Sequence, residues 1–301
     1  MGRLVAIANQ KGGVGKTTTA INLAVALAQA NGDAAGLPLL VVDLDPQGNT
    51  TSGLTPQAEL SEIKASGATV YEAIVGTVEV TQALRRIRDR IFLLPSSANL
   101  VGAEVELAGA DHRERRLKEI LDPIKDHYSF VLIDTPPSLG LLTLNAMVAA
   151  DSVIVPMQCE YYALEGLSAL LGTIARVRRV LNPDLEIDGI VLTMFDSRNR
   201  LSHEIARDVS RHFPDKLFQS VIPRNVRLSE SPSHGLSVIE YDAKSAGAEA
   251  YRALAAEIAL RTGATHISPQ DPIEASGEQT RKSWNLRALF GRDNERVRRN
   301  G

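Results

Sequence analysis

Short runs of branched apolar residues alternate along this chain with longer stretches in which apolar positions recur at helical spacing. Strands are expected at 4–8, 39–43, 91–94, 130–134, 152–157, 187–193 and 217–222. Several of these runs have no polar face, the mark of strands covered by helices on both sides. Helices are expected at 17–30, 70–74, 102–124, 139–149, 165–180, 202–211 and 245–262. This alternation implies an α/β fold, a doubly wound and mostly parallel sheet flanked by helices. No internal repeat is evident. The pattern changes at Gly263, where two prolines and scattered polar residues precede a stretch, 281–299, with seven Arg or Lys against two acidic residues. A folded domain is expected over 1–262, with 263–301 as a linker and basic extension.

Polar chemistry gathers where the strands end. Asn9-Gln10-Lys11-Gly12-Gly13-Val14-Gly15-Lys16-Thr17-Thr18 follows the first strand and opens the first helix, the setting of a P-loop NTPase. Glycines let backbone amides converge on a phosphate, and the helix start adds free N–H groups and a positive dipole end. Lys16 is expected to reach the β- and γ-phosphates and Thr17 to offer its hydroxyl to Mg²⁺. The second strand runs into Asp43-Leu44-Asp45; residues two apart on an extended strand share a face. Ligands of such sheets bind outside the carboxyl ends of the strands. Phe130-Val131-Leu132-Ile133 feeds Asp134, a Walker-B pattern in which Asp134 is expected to hold a Mg²⁺-bound water.

Composition narrows the options. Of 301 residues 44% are apolar and 23% charged, ordinary for a globular protein. The formal net charge of -3 means that any nucleic-acid surface must be local. One cysteine, Cys159, excludes an intramolecular disulfide and an all-cysteine metal site within one chain. That usage fits a reducing cytosol, and no apolar run approaches membrane-spanning length, so a cytoplasmic protein is expected.

Lys11–Thr17 matches the pattern Lys-Gly-Gly-x-Gly-Lys-Thr, and Gln10 stands where an ordinary P-loop has glycine. On these residues the chain resembles the deviant Walker-A ATPases, the family of the ParA-type partition ATPases, the MinD-type division ATPases and the nitrogenase iron protein. The stretches 43–53, 192–198, 222–235 and 241–249 resemble the short, Soj-like ParA members, so the likeness spans nearly all of 3–260. The resemblance implies ATP and Mg²⁺ as ligands and slow hydrolysis to ADP and phosphate. Residues Lys11, Gly12, Gly13, Val14, Gly15, Lys16, Thr17 and Thr18 would hold the phosphates, with Met194, Pro223 and Arg224 around the base. Lys16 would act in cis, and Lys11 would reach the partner's phosphates in an ATP-bound homodimer. Asp45 would position the attacking water. Thr17, Asp43 and Asp134 would surround the metal.

The same resemblance implies that the dimer binds double-stranded DNA without sequence preference on the nucleoid, and that a ParB-like centromere-binding protein stimulates hydrolysis and release. Arg198, Arg200, Arg207, Arg211, Arg224 and Arg227 would supply the phosphate contacts. Ala246 departs from the family pattern, which carries a basic residue near there. The basic extension reads as a phosphate-binding arm, as an amphipathic stretch (Trp284–Phe290) or as a tail without a role. The amphipathic reading belongs to the alternative function, a MinD-like membrane-associated positioning ATPase; a membrane is not the expected partner.

Overall fold

Side chains alternate along the central strands, and that alternation divides the core in two. Leu4, Ala6, Leu40, Val42, Val131 and Ile133 enter one buried cluster, whereas Val5, Leu39, Val41, Phe130 and Leu132 enter the other. A strand presents successive side chains to opposite faces, so an all-apolar strand demands cover on both. The computed structural model describes residues 2–30 and 36–262, and within them helices supply that cover. Helices Lys16–Ala30 and Ala246–Thr262 pack one face, while Leu141–Ala149, Ala163–Val180 and Arg200–His212 are among those packing the other. The extension 263–301, with its amphipathic stretch, lies outside the described residues.

Eight strands form one sheet: β1 (Arg3–Ile7), β2 (Leu39–Asp43), β3 (Arg85–Arg88), β4 (Ile91–Leu94), β5 (Phe130–Asp134), β6 (Ser152–Gln158), β7 (Glu186–Phe195) and β8 (Leu217–Pro223). Their order is β3-β4-β2-β5-β1-β6-β7-β8, and every pairing is parallel except β3 with β4. The register decides where chemistry can occur. Ile7 and Asp43 each stand opposite Asp134, so the chain leaving β1 and the carboxylates ending β2 and β5 emerge at one level. The connections run to opposite sides of β1, and the crevice at such a switch point is where open α/β sheets bind ligands.

Three expectations need correction. The stretch 102–124 is not one helix: it divides into Leu100–Glu106, Arg116–Leu121 and short 3₁₀ turns. His112 adopts a left-handed conformation with φ 53°, and the second helix restarts with the Leu117 amide donating to Asn145 Oδ1 at 3.1 Å. Apolar spacing carries through such a break because both pieces face the same core. Strand β3 was also unexpected, since Arg-Arg-Ile-Arg has little apolar content; it is an edge strand, where charged residues are tolerated and discourage pairing with another chain. Finally, Asp45 does not share the strand face of Asp43. β2 ends at Asp43, and Asp45 lies in the turn beyond it, its carboxylate accepting from the Gln47 amide at 3.0 Å.

Candidate nucleotide site

The phosphate loop takes its shape from two glycines. Gly13 and Gly15 have φ of 73° and 88°, a region that L side chains rarely adopt, and they bring the loop back over the start of the Lys16–Ala30 helix. Asn9 fixes the loop's entry: its Nδ2 donates to the Pro156 carbonyl at 2.7 Å, and its Oδ1 accepts from the Lys11 amide at 3.0 Å. Gln10, in the place of the usual glycine, donates from Nε2 to the Gly166 carbonyl at 3.1 Å. Across the loop, the Thr193 hydroxyl donates to the Val14 carbonyl at 2.8 Å, fastening β7 to the cradle.

The two lysines occupy different surroundings. Lys16 is buried, with Nζ donating to the Lys11 carbonyl at 3.1 Å. Burial pulls its pKa down, and the attraction of Asp134 and then Asp45 opposes that. Lys11 stands on the open rim, paired with Glu160 in its own chain. The next residues, Tyr161 and Tyr162, meet edge to face at 5.0 Å and are 78% and 70% exposed.

Thr17 and the expected metal-side carboxylates come together. The hydroxyls of Thr17 and Thr50 both donate to Asp134 Oδ2, at 2.8 and 2.7 Å. The Thr51 hydroxyl and amide both donate to Asp43 Oδ2 at 2.7 Å, and the Asp45 amide donates to Asp43 Oδ1 at 3.2 Å. Burial, and then the neighbouring Asp134, push the Asp43 carboxyl well above its ordinary range against those bonds. Burial likewise raises Asp134, against the hydroxyls of Thr50 and Thr17. Thr50 and Thr51, on the Asn49–Leu54 helix, are the functional residues that sequence reasoning missed. The signal was their position, five to eight residues beyond the paired aspartates.

Asp134 Oδ1 is buried with no hydrogen-bond partner among the described residues. An anionic oxygen withdrawn from water and left unpartnered is costly, and a hydrated cation beside it relieves that cost. Among the described residues no group of three or more His, Cys, Asp or Glu forms a metal cage. The donor set that is present, a threonine hydroxyl and carboxylates beside a phosphate cradle, suits Mg²⁺, which keeps several waters and takes substrate phosphates as ligands.

Beside the cradle a cavity of about 350 Å³ is lined by Gly15, Thr18, Met194, Pro223, Arg224 and Leu228, among others. Met194 has a φ of 48°, and a non-glycine residue held there marks a site that the surrounding structure fixes. The fully buried Tyr251 closes the cavity's inner side, its hydroxyl 3.2 Å from that of Thr19.

The arginines are less uniform. Arg198 pairs with Asp196, Arg200 with Glu204, Arg211 with Asp208, and Arg227 with Glu230 and Asp242. Hydrogen bonds from Arg198 hold the Asp196 carboxyl down to about 2. Arg207 lies with Arg211 on the Arg200–His212 helix. Arg224 is exposed and makes no ion pair among the described residues.

A family model described as an AAA domain matches residues 2–187. The chain is 50% identical over 262 residues to the chromosome partitioning protein ParA of Myxococcus xanthus (strain DK1622), a match covering 87% of this chain and 89% of that one. It is 48% identical over 260 residues to the sporulation initiation inhibitor protein Soj of Bacillus subtilis (strain 168), covering 86% and 99%. Among solved structures, cobyrinic acid a,c-diamide synthase from Mycobacterium smegmatis with bound ATP analog and magnesium superposes with a TM-score of 0.73 at 37% identity, over 88% of this chain and 97% of that one. A glycine-shaped cradle with two lysines, the carboxylates gathered beside it and relatives of this length and identity lead to one conclusion: the chain belongs to the ParA/Soj family of deviant Walker-A ATPases, with ATP and Mg²⁺ as its ligands.

Proposed function

We propose that this chain partitions DNA by switching between nucleotide states: ATP-bound homodimers hold duplex DNA without sequence preference on the nucleoid, and hydrolysis stimulated by a ParB-type centromere-binding partner releases it. The observation that carries this reading is the unequal placement of the two lysines. Lys16 lies beneath the cradle, where its ammonium serves the phosphates of its own nucleotide. Lys11 stands at the rim with its side chain 42% exposed, free to cross to a second copy once it leaves Glu160. The exposed Tyr161–Tyr162 pair beside it is the kind of surface that a protein partner covers. The name of the Myxococcus xanthus relative, a chromosome partitioning protein, supports a role in handling DNA.

In this reading Thr17, Asp43 and Asp134 would hold Mg²⁺ beside the cradle, where it would supply positive charge against the phosphates. Lys16, and Lys11 from the second copy, add positive charge where the transition state gathers negative charge. Asp45 orients the attacking water, and Thr135, whose hydroxyl donates to the Ile7 carbonyl at 2.9 Å, holds the turn beyond β5 against the base of the cradle.

Duplex binding and oligomeric state, measured in parallel with ATP, with ADP and without nucleotide, test the proposal. Dimers and DNA binding are expected with ATP alone, and both are expected to be lost in Lys11→Ala. Equal DNA binding in all three states would overturn it.

A further inference from the structure

Arg88 lies on β3, the edge of the sheet farthest from β8. Its guanidinium donates to the Leu54 carbonyl, to the Gly235 carbonyl at 2.8 Å and to Glu240 Oε1 at 2.8 Å. These partners belong to two segments that meet opposite ends of the nucleotide site. Leu54 closes the helix whose Thr50 and Thr51 hold Asp134 and Asp43. Gly235 and Glu240 belong to the chain leaving β8, which first lines the base cavity with Arg224, Leu228 and Pro232. That chain then crosses the Lys16–Ala30 helix, where the Val238 amide donates to Asn22 Oδ1 at 2.7 Å, and arrives at Arg88.

The two segments are pressed together without direct polar contact. A Cβ on Gly235 would stand 2.5 Å from the Thr55 carbonyl oxygen, and one on Gly53 would stand 3.5 Å from the Pro232 side chain. Among the described residues no hydrogen bond passes directly between 49–56 and 228–241, and the Thr55 and Ser231 hydroxyls are buried without partners. Arg88 supplies the polar link across this seam, and its side chain is only 18% exposed.

We propose that Arg88 is a positioning residue that couples occupancy of the base cavity to the placement of the metal-side carboxylates. A base against Leu228 and Pro232 sets the crossing segment, Arg88 ties that segment to Leu54, and the Asn49–Leu54 helix carries the hydroxyls that hold Asp43 and Asp134. The coupling acts within one chain, so it stands or falls apart from DNA binding and dimer formation.

Calorimetric Mg²⁺ affinities of the full chain saturated with ADP, and then with pyrophosphate, give a ratio that reports how much the base improves metal binding. Properties of the two ligands themselves cancel when variants are compared with the parent. Arg88→Ala is expected to lower the ratio at least about fivefold, the lower end of usual site-to-site coupling. Arg88→Lys is expected to recover melting temperature but not the ratio, because the three contacts are made from three separate guanidinium nitrogens and a compact ammonium lacks that planar fork. Glu240→Gln still closes the capping box with Ser237, and it is expected to lower the ratio in the same direction. A reduced melting temperature with an unchanged ratio in Arg88→Ala, or in Glu240→Gln should Arg88→Ala not fold, overturns the proposal.

Discussion

Exchanging the Thr50 hydroxyl for a methyl group shows how the metal-side carboxylates are held. Thr50 is fully buried, and among the described residues its only side-chain hydrogen bond goes to Asp134. Thr50→Val keeps the shape and leaves Asp134 with Thr17 as its one donor. A stability loss of about 1–3 kcal/mol is expected in denaturant titration, the usual cost of leaving a buried polar group short of a partner. Weaker Mg²⁺-dependent nucleotide binding is expected alongside. Asp45 works differently, since among the described residues its carboxylate accepts only the Gln47 amide. Asp45→Ala is expected to leave ATP binding intact and to slow single-turnover hydrolysis by about 10²-fold or more; unchanged turnover would remove Asp45 from its role. Asp43 adds a pH signature. Its native carboxyl titrates above its unfolded value of 3.8, toward about 7, so in that window the metal-free native state binds more protons than the unfolded chain. Its contribution to stability is present at low pH and is lost as pH rises through that range. Asp43→Asn is expected to flatten this dependence in urea midpoints taken at about pH 5 and about pH 8, while metal-bound nucleotide, which needs the ionised form, should bind the parent more tightly at the higher pH.

At the scale of elements, the crossing segment is tied to the phosphate-loop helix through the Asn22 side chain and pressed by close backbone approach against Thr55, just beyond the Asn49–Leu54 helix. Gly235 closes the Ser231–His234 turn with a φ of 65°. Gly235→Ala must adopt a left-handed conformation and also push its methyl against the Thr55 carbonyl. A loss of about 2–5 kcal/mol is expected, from about 1–2 for the conformation and about 1–3 for the overlap. A change below 1 kcal/mol in the denaturation midpoint, on the order of the tenths seen at unconstrained surface sites, would show that the seam is loose. The seam also marks what the sequence leaves unreadable. Phe130–Asp134 and Leu39–Asp43 were legible because strands buried on both faces need continuous apolar runs. The phosphate loop was legible because glycines and lysines at fixed spacing answer a fixed ligand geometry. Arg88 and Thr50 act through contacts made across 147 and 84 residues of chain, and no local pattern announces such partners. The Glu160 partner of Lys11 was hidden for the same reason, and so was the left-handed His112 that divides the 102–124 stretch.

For the whole molecule, the charge balance predicts how DNA binding should respond to salt and to substitution. Between residues 196 and 230 there are seven arginines and lysines against five carboxylates, so one copy presents little net positive charge. Arg198, Arg200, Arg211 and Arg227 already have carboxylate partners, and each would exchange one anion for another on meeting a phosphate, with little gain. Arg224 makes no such pair among the described residues, and its amide donates to the Phe195 carbonyl at 3.1 Å, which fixes its backbone beside the nucleotide cavity. Arg224→Glu is therefore expected to weaken ATP-dependent binding more than Arg200→Glu, and by a similar factor on duplexes of unrelated sequence, because phosphate contacts carry no base information. On the proposed reading, in which the ATP-bound dimer holds DNA, the salt slope of binding should be about twice as steep with ATP as for any residual binding with ADP. Each phosphate engaged contributes roughly 0.9 log units per log salt. Equal slopes in the two nucleotide states, or a loss in Arg224→Glu that depends on duplex sequence, would mean that the DNA surface belongs to a single copy or reads bases, and that the arginines beyond β7 and β8 are not where the backbone is held.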